Sequence, residues 1–176
     1  MGFLFIFIMD LIEDIIANWF NSKGYFLIRN LKIGVNEVDI LAIKLSNRHQ
    51  IEDSIHIEVQ CSTKPIGYIG GSKSAKKRTS EDVDNGVTDY INKKFNNKKI
   101  KDVIEQLIGS KYRKIFICGK LKDEDTLKYF IKNGVEVMRV WEILEKIKFK
   151  EEKYKTSAGN RYYQLLYING INKINK

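Results

Sequence analysis

The chain has little cysteine, little proline and no apolar segment long enough to cross a membrane. Among its 176 residues there are two cysteines and a single proline, Pro65. Cys61 and Cys118 lie in apolar stretches and lack the C-x-x-C spacing of redox or zinc sites, so no disulfide framework is inferred. We interpret both as core residues and expect a reducing, cytoplasmic location. No internal repeat and no interdomain linker is found.

The apolar N-terminus, residues 1–8, is too short for a membrane anchor. Its run from Gly2 to Ile8 falls far below the roughly 20 residues that a spanning helix needs. It also lacks the basic region and the small-residue cleavage site of a signal peptide. We therefore interpret it as an N-terminal extension and expect no membrane partner. A short edge strand and a helix extension packed on the core are the alternatives.

Charge and length define the broad class. The chain carries 31 Lys and Arg against 22 Asp and Glu, a net charge of +9, and 43% of its residues are hydrophobic. This composition is typical of a soluble globular protein, and the basic excess favours an anionic partner, nucleic acid before membrane. We expect one domain over residues 1–176, in which residues 151–176 form a basic and aromatic C-terminal tail.

The order of predicted elements favours an α/β fold. A helix over residues 10–23 precedes three strands at 25–33, 37–45 and 54–61, and another helix follows with Ser80 as its expected N-cap. After Gly109, strands and helices alternate, which implies parallel pairing and a sheet covered by helices. The predicted order is α-β-β-β-α-α-β-α-β-α, a mixed central sheet flanked by helices.

Two acidic residues interrupt neighbouring apolar strands. Asp39 lies between Val38 and Ile40, and Glu58 lies between Ile57 and Val59. A carboxylate in an apolar strand is costly unless a proton, a cation or hydrogen bonds neutralise it. Two such acids on adjacent strands therefore suggest a metal site, although strand acids also occur on solvated faces and at sheet ends.

Strand alternation places two further polar residues on the face of Glu58. These are His56 and Gln60. We interpret His56 as a hydrogen-bonded wall residue or a nucleic-acid contact rather than a metal ligand. Glu37 shares the strand face of Asp39, and either an additional ligand or a rim salt bridge fits its position.

The acids and the element order together resemble the PD-(D/E)XK nuclease superfamily, the restriction-endonuclease-like fold that includes Holliday junction resolvases. The resemblance covers about residues 10–145 and implies an αβββαβ core, here with a C-terminal βα extension. It matches Asp39 to the acid of the second strand and Glu58 to that of the third. Glu13 stands for the acid of the first helix. Gln60 occupies the usual lysine position, and Val38 replaces the loosely kept proline.

The resemblance implies a catalytic site formed by Asp39, Glu58, Gln60 and Glu13. It also implies Mg²⁺, with Mn²⁺ as a substitute, because the ligands are all oxygen atoms. Asp39, Glu58 and the backbone carbonyl of Val59 are the expected metal ligands, and Glu13 is expected to act through water. A glutamine can orient a water molecule but adds no positive charge. A cation can come from elsewhere in the chain, and the lysines within reach downstream are Lys64, Lys73, Lys76 and Lys77.

The loop after the Glu58 strand is the predicted nucleic-acid contact. It spans residues 63–79 and includes three glycines that allow close approach of the backbone to a phosphate. A flexible solvated loop is the alternative. It does not form a nucleotide-binding P-loop, because Ser72 stands where the second glycine is required. The expected phosphate-binding residues are Lys64, Lys73, Lys76, Lys77 and Arg78.

The predicted function is metal-dependent hydrolysis of phosphodiester bonds in DNA by an endonuclease, with structured or branched DNA as one substrate option. RNA is left open as a substrate. A homodimer is expected because cutting both strands of a duplex needs two sites. The alternative function is a catalytically inactive nuclease-fold module that binds nucleic acid or a partner protein.

Overall fold

The computed structural model describes residues 2–61, 66–69, 71 and 77–147, with side chains described from residue 11 onward. These residues form a five-stranded sheet and five helices. The elements are α1 (Gly2–Asn21), β1 (Tyr25–Ile33), β2 (Asn36–Leu45), β3 (Ile51–Gln60), α2 (Ser80–Lys94), α3 (Lys98–Ile108), β4 (Arg113–Cys118), α4 (Thr126–Lys132), β5 (Glu136–Arg139) and α5 (Val140–Lys146).

The sheet is mixed and follows chain order, β1-β2-β3-β4-β5. β1, β2 and β3 form an antiparallel meander, whereas β4 and β5 join it in parallel. The parallel pairs require the helical crossovers that α2, α3 and α4 supply. The predicted α/β class, with a mixed sheet flanked by helices, is confirmed.

Each face of the sheet has its own apolar layer. On one face, Ile12 and Ile16 of α1 and Ile143 of α5 pack on strand residues that include Ile57 and Val59. α2, α3 and α4 cover the opposite face in two clusters. In one of them Phe116 and Phe130 stack with ring centroids 4.3 Å apart. Because strand side chains alternate, His56 and Glu58 project toward the α2 and α3 layer.

α2 is positioned by its apolar stripe and by its cap. Val83, Val87 and Ile91 are buried at helical spacing. The N-cap is Thr79, whose hydroxyl accepts a hydrogen bond from the N–H of Asp82 at 3.1 Å, and the Asp82 carboxylate accepts one from the N–H of Thr79 at 2.9 Å. This capping box fixes where the helix begins, and so fixes the turn that its last residue, Lys94, occupies.

Several boundaries differ from the predicted ones. Residues 2–8 belong to α1, which favours the helix extension among the alternatives for the apolar N-terminus. β3 begins at Ile51 rather than 54, because a tight turn joins it to β2. Within the described part of the chain, no helix combines the length and the apolar character that crossing a membrane demands. The predicted tail, residues 151–176, lies outside the described residues.

Candidate active site

Asp39 lies where the pairing of β2 with β3 ends. The paired positions run from Leu45 and Ile51 to Ile40 and Ile57. Two residues farther along β3, the N–H of Val59 donates to Oδ2 of Asp39 at 2.7 Å. The carboxylate therefore replaces a backbone carbonyl as the acceptor for this strand N–H, and its other oxygen is left for a cation.

Glu58 is fully buried beside Asp39, on the side of the sheet that α2 covers. Its side chain has 0% relative exposure, as does that of His56 two residues earlier on the same strand face. Nε2 of His56 lies 2.9 Å from Oε1 of Glu58. A buried carboxylate needs such partners, because a single unpaired charge in the interior is strongly unfavourable.

Lys94, the last residue of α2, supplies the positive charge of the site. Its Nζ lies 2.6 Å from Oε2 of Glu58 and 3.9 Å from Oδ1 of Asp39. It also donates to the backbone carbonyl of Glu37 at 3.4 Å. The contact to Glu58 is a close ion pair. One ammonium thus lies between two carboxylates that come from different strands, and it offsets only one of their two negative charges.

Burial and the neighbouring charges shift the protonation of these groups. Burial raises the pKa of Asp39 to about 7, the nearby Glu58 also raises it, and Lys94 lowers it. Burial raises the pKa of Glu58 to about 7 as well, against the opposing effect of Lys94. Burial alone would lower the pKa of Lys94, but the two carboxylates outweigh it and the pKa is raised. Lys94 therefore stays charged, whereas the two carboxyl groups have pKa values near neutral pH.

The Glu58→Gln protein is expected to be more stable than the wild type in metal-free buffer at about pH 8, by about 2–3 kcal/mol. The carboxyl pKa is raised in the folded state, so wild-type stability is full below the unfolded pKa and falls as pH rises toward the folded value. The variant lacks this loss, and its stability should decline less with pH. Thermal unfolding of both proteins, from below the unfolded pKa of the carboxyl group up to about pH 8, measures this difference in stability. If the stability of both proteins changed with pH in the same way, the prediction would be contradicted.

The donor set of this site fits a hard divalent cation. Asp39 and Glu58 offer carboxylate oxygens, and Mg²⁺ is commonly held by one or two carboxylates together with water and substrate phosphates. Among the residues whose side chains are described, no three His, Cys, Asp or Glu form a shared group, so Asp39 and Glu58 stand as a pair. Glu13 lies half-buried on α1, which covers the opposite face of the sheet.

The remaining residues of the predicted centre lie at the end of β3. Gln60 is half-buried, and by strand alternation it shares the face of Glu58. Its backbone carbonyl accepts a hydrogen bond from the N–H of Gly119 at 3.0 Å. The side chain of Val59 is buried in the α1 layer, while its N–H is held by Asp39. Both residues are therefore adjacent to the carboxylate pair.

The predicted phosphate-binding loop is described only in part. Lys64, Lys73 and Lys76 lie outside the described residues. Lys77 is exposed. The guanidinium of Arg78 donates to the carbonyl of Gly71 at 2.7 Å and also to that of Gly67. Arg78 is thus engaged by the backbone of the loop, which it holds against the start of α2.

Lys94 is a residue of this candidate site that was not predicted from the sequence. It was one basic residue among many, in a helix far along the chain from the two acids. A signal was nevertheless present. Lys94 follows Val87 by seven positions and Tyr90 by four, so it extends the inward stripe of α2 and points to the sheet. A lysine on the buried side of a helix needs an acidic partner, which the strands provide.

Comparisons with known proteins give remote structural similarity only. No protein family and no curated protein matches the sequence. A repair endonuclease from Pyrococcus abyssi is similar with 16% identity and a TM-score of 0.38, over 72% of this chain and 46% of the other. Can2 from Sulfobacillus thermosulfidooxidans, in complex with cyclic tetra-adenylate, is similar with 16% identity and a TM-score of 0.36, over 92% and 35% respectively. The chain spans less than half of either neighbour, and neither likeness identifies its activity.

Proposed function

We propose that the chain is a metal-dependent endonuclease that hydrolyses phosphodiester bonds in DNA. The observation that carries the proposal is the convergence of Asp39, Glu58 and Lys94 at the end of the β2–β3 pairing. Two carboxylates that can bind a hard cation, beside a partly buried lysine, are the groups that phosphodiester hydrolysis needs. An ion pair that served only the stability of the fold would not require two carboxyl groups with pKa values near 7.

In this proposal Lys94 supplies the positive charge that Gln60, at the usual lysine position, lacks. In the proposed reaction Asp39, Glu58 and the Val59 carbonyl would hold Mg²⁺ or Mn²⁺, and the metal would supply Lewis-acid activation of water and positive charge for the phosphate. The Lys94 side chain is 26% exposed, so its ammonium can reach a phosphate that approaches from solvent. Gln60 is left to orient the attacking water by hydrogen bonding.

The surface beside Lys94 is suited to a nucleic-acid backbone. α3 begins four residues after Lys94, and its first turn presents exposed lysines. The chain as a whole carries a net charge of +9. Phosphate contacts of this kind give affinity and salt dependence without choosing a sequence. The lysines that we place on this surface are Lys98, Lys99 and Lys101.

A catalytically inactive binding module is the second candidate. It is favoured by the ion pair itself, because Lys94 already satisfies the buried carboxylates without a metal. Such a protein would bind nucleic acid or a partner through the same fold and would not cut.

The homodimer, expected because cutting both strands of a duplex needs two sites, stays a prediction.

Cleavage of a mixed substrate panel tests the proposal. The panel consists of supercoiled plasmid, linear duplex, single strand and four-way junction, each with Mg²⁺, Mn²⁺ or a chelator. Cutting that requires the metal is the expected result, and the preferred substrate names the class. Metal-independent DNA binding with no cutting of any substrate would favour the inactive module instead.

A further inference from the structure

We propose that His56 is a positioning residue that holds the carboxylate of Glu58 in one orientation, with Oε1 fixed to the core and Oε2 presented to the cation. This inference rests on the proposed metal-dependent function. The two oxygens of Glu58 have different partners: Nε2 of His56 lies 2.9 Å from Oε1, and Nζ of Lys94 lies 2.6 Å from Oε2. A carboxylate held at one oxygen cannot rotate to exchange them.

His56 is itself held rigidly. Its ring has 0% exposure and packs against Phe95, with centroids 4.7 Å apart and planes inclined by 52°, and against Tyr112 at 6.4 Å. Phe95 directly follows Lys94 and is fully buried. The end of α2 therefore supplies one partner of Glu58, Lys94, while the next residue, Phe95, packs against the other partner, His56.

The hydrogen-bonding pattern determines which ring nitrogen carries the proton. Among the described residues Nδ1 of His56 has no hydrogen-bond partner. A proton on Nδ1 would leave a buried donor unsatisfied, whereas a proton on Nε2 is donated to Glu58. We therefore assign a neutral ring with the proton on Nε2, donating to the ionised carboxylate.

This arrangement matches the way proteins orient metal ligands. A ligand that is hydrogen-bonded from behind keeps its geometry, and loss of such a partner typically weakens metal binding about 10–100-fold. Here the histidine supports a carboxylate ligand rather than binding the metal itself. His56 thus has a defined role, which explains why a polar residue stands at a buried position where an apolar side chain would be expected.

Mn²⁺ binding by His56→Gln and His56→Leu tests the proposal without relying on cleavage. The glutamine amide can donate at about the position of Nε2, so affinity should stay within about threefold of the wild type, whereas leucine should lower it about tenfold or more. His56→Asn, whose amide is too short to reach Glu58, replaces the leucine variant if that protein does not fold. Equal affinity in all variants would overturn the proposal.

Nitrogen NMR of the histidine rings tests the geometry in the metal-free protein. The chain has two histidines, and the exposed His49 serves as the internal reference. A neutral ring at His56 protonated at Nε2 is expected; protonation at Nδ1 would overturn the inference. That result would leave the proposed nuclease function standing. Conversely, the expected ring state in a protein that cuts no substrate would count against the nuclease and not against the Glu58 contact.

Discussion

The Asp39→Asn protein is expected to lose metal-dependent cleavage by at least about 100-fold while its fold becomes more stable. Asparagine can still accept the hydrogen bond that Oδ2 of Asp39 takes from the N–H of Val59 at 2.7 Å, so the end of the β2–β3 pairing is preserved. What is lost is one negative charge facing the cation. Cleavage rate at saturating metal measures the first effect and thermal unfolding in metal-free buffer the second.

The opposite directions of these two effects separate a functional acid from a structural one. Burial raises the pKa of Asp39 to about 7, so its ionised form costs stability at neutral pH. If Asp39 served folding alone, its substitution would lower the stability of the protein. Glu37→Gln is the matched control, because Glu37 is an exposed acid two residues earlier on the same strand. Cleavage by Asp39→Asn within about tenfold of the wild type would contradict the assignment.

The Lys94→Met protein is expected to cleave about 100-fold more slowly than the wild type at saturating metal. Methionine keeps much of the apolar stem and removes the ammonium that lies 2.6 Å from Oε2 of Glu58. If that charge stabilises the reacting phosphate, the turnover rate falls more than DNA affinity does. Single-turnover cleavage and DNA binding, measured on the same preparation, separate the two quantities.

A control and a rescue make this prediction specific. Lys93→Met makes the same charge change at the exposed neighbouring position and is expected to alter turnover less than about threefold. Adding Gln60→Lys to Lys94→Met should restore at least about tenfold of the lost rate, because position 60 shares the strand face of Glu58. Equal effects of Lys93→Met and Lys94→Met, with no rescue, would show that Lys94 is not the catalytic cation.

Much of the architecture could be predicted because it depends on local pattern. Short apolar runs rich in β-branched residues located β1 and β2 within a residue of their observed limits. The change to alternating strands and helices predicted the parallel pairs. The two acids were visible because each interrupts an apolar strand. Helix caps were less accessible: Ser80 was expected as the cap of α2, but Thr79 is, since its hydroxyl and the Asp82 carboxylate form the reciprocal pair.

The contacts of the acids could not be predicted from the strands alone. Which helix residue reaches Glu58 depends on how α2 is rotated over the sheet, and that follows from tertiary packing of Val87, Ile91 and Phe95. The partners of Glu58 therefore combine a local feature, His56 two residues away on one strand face, with a distant one, Lys94. Alternation predicts the first contact, whereas the second requires the fold.

The most direct test counts the Mn²⁺ ions bound per chain, by electron paramagnetic resonance of the free ion in the presence of duplex DNA. Wild type and the Asp39→Asn/Glu58→Gln double variant are measured side by side, so that ions bound by the DNA itself cancel. We predict that the wild type binds at least about one more ion per chain than the double variant, because the two carboxylates are the protein ligands. Equal counts would contradict a metal site at Asp39 and Glu58, and with it the proposed hydrolytic centre.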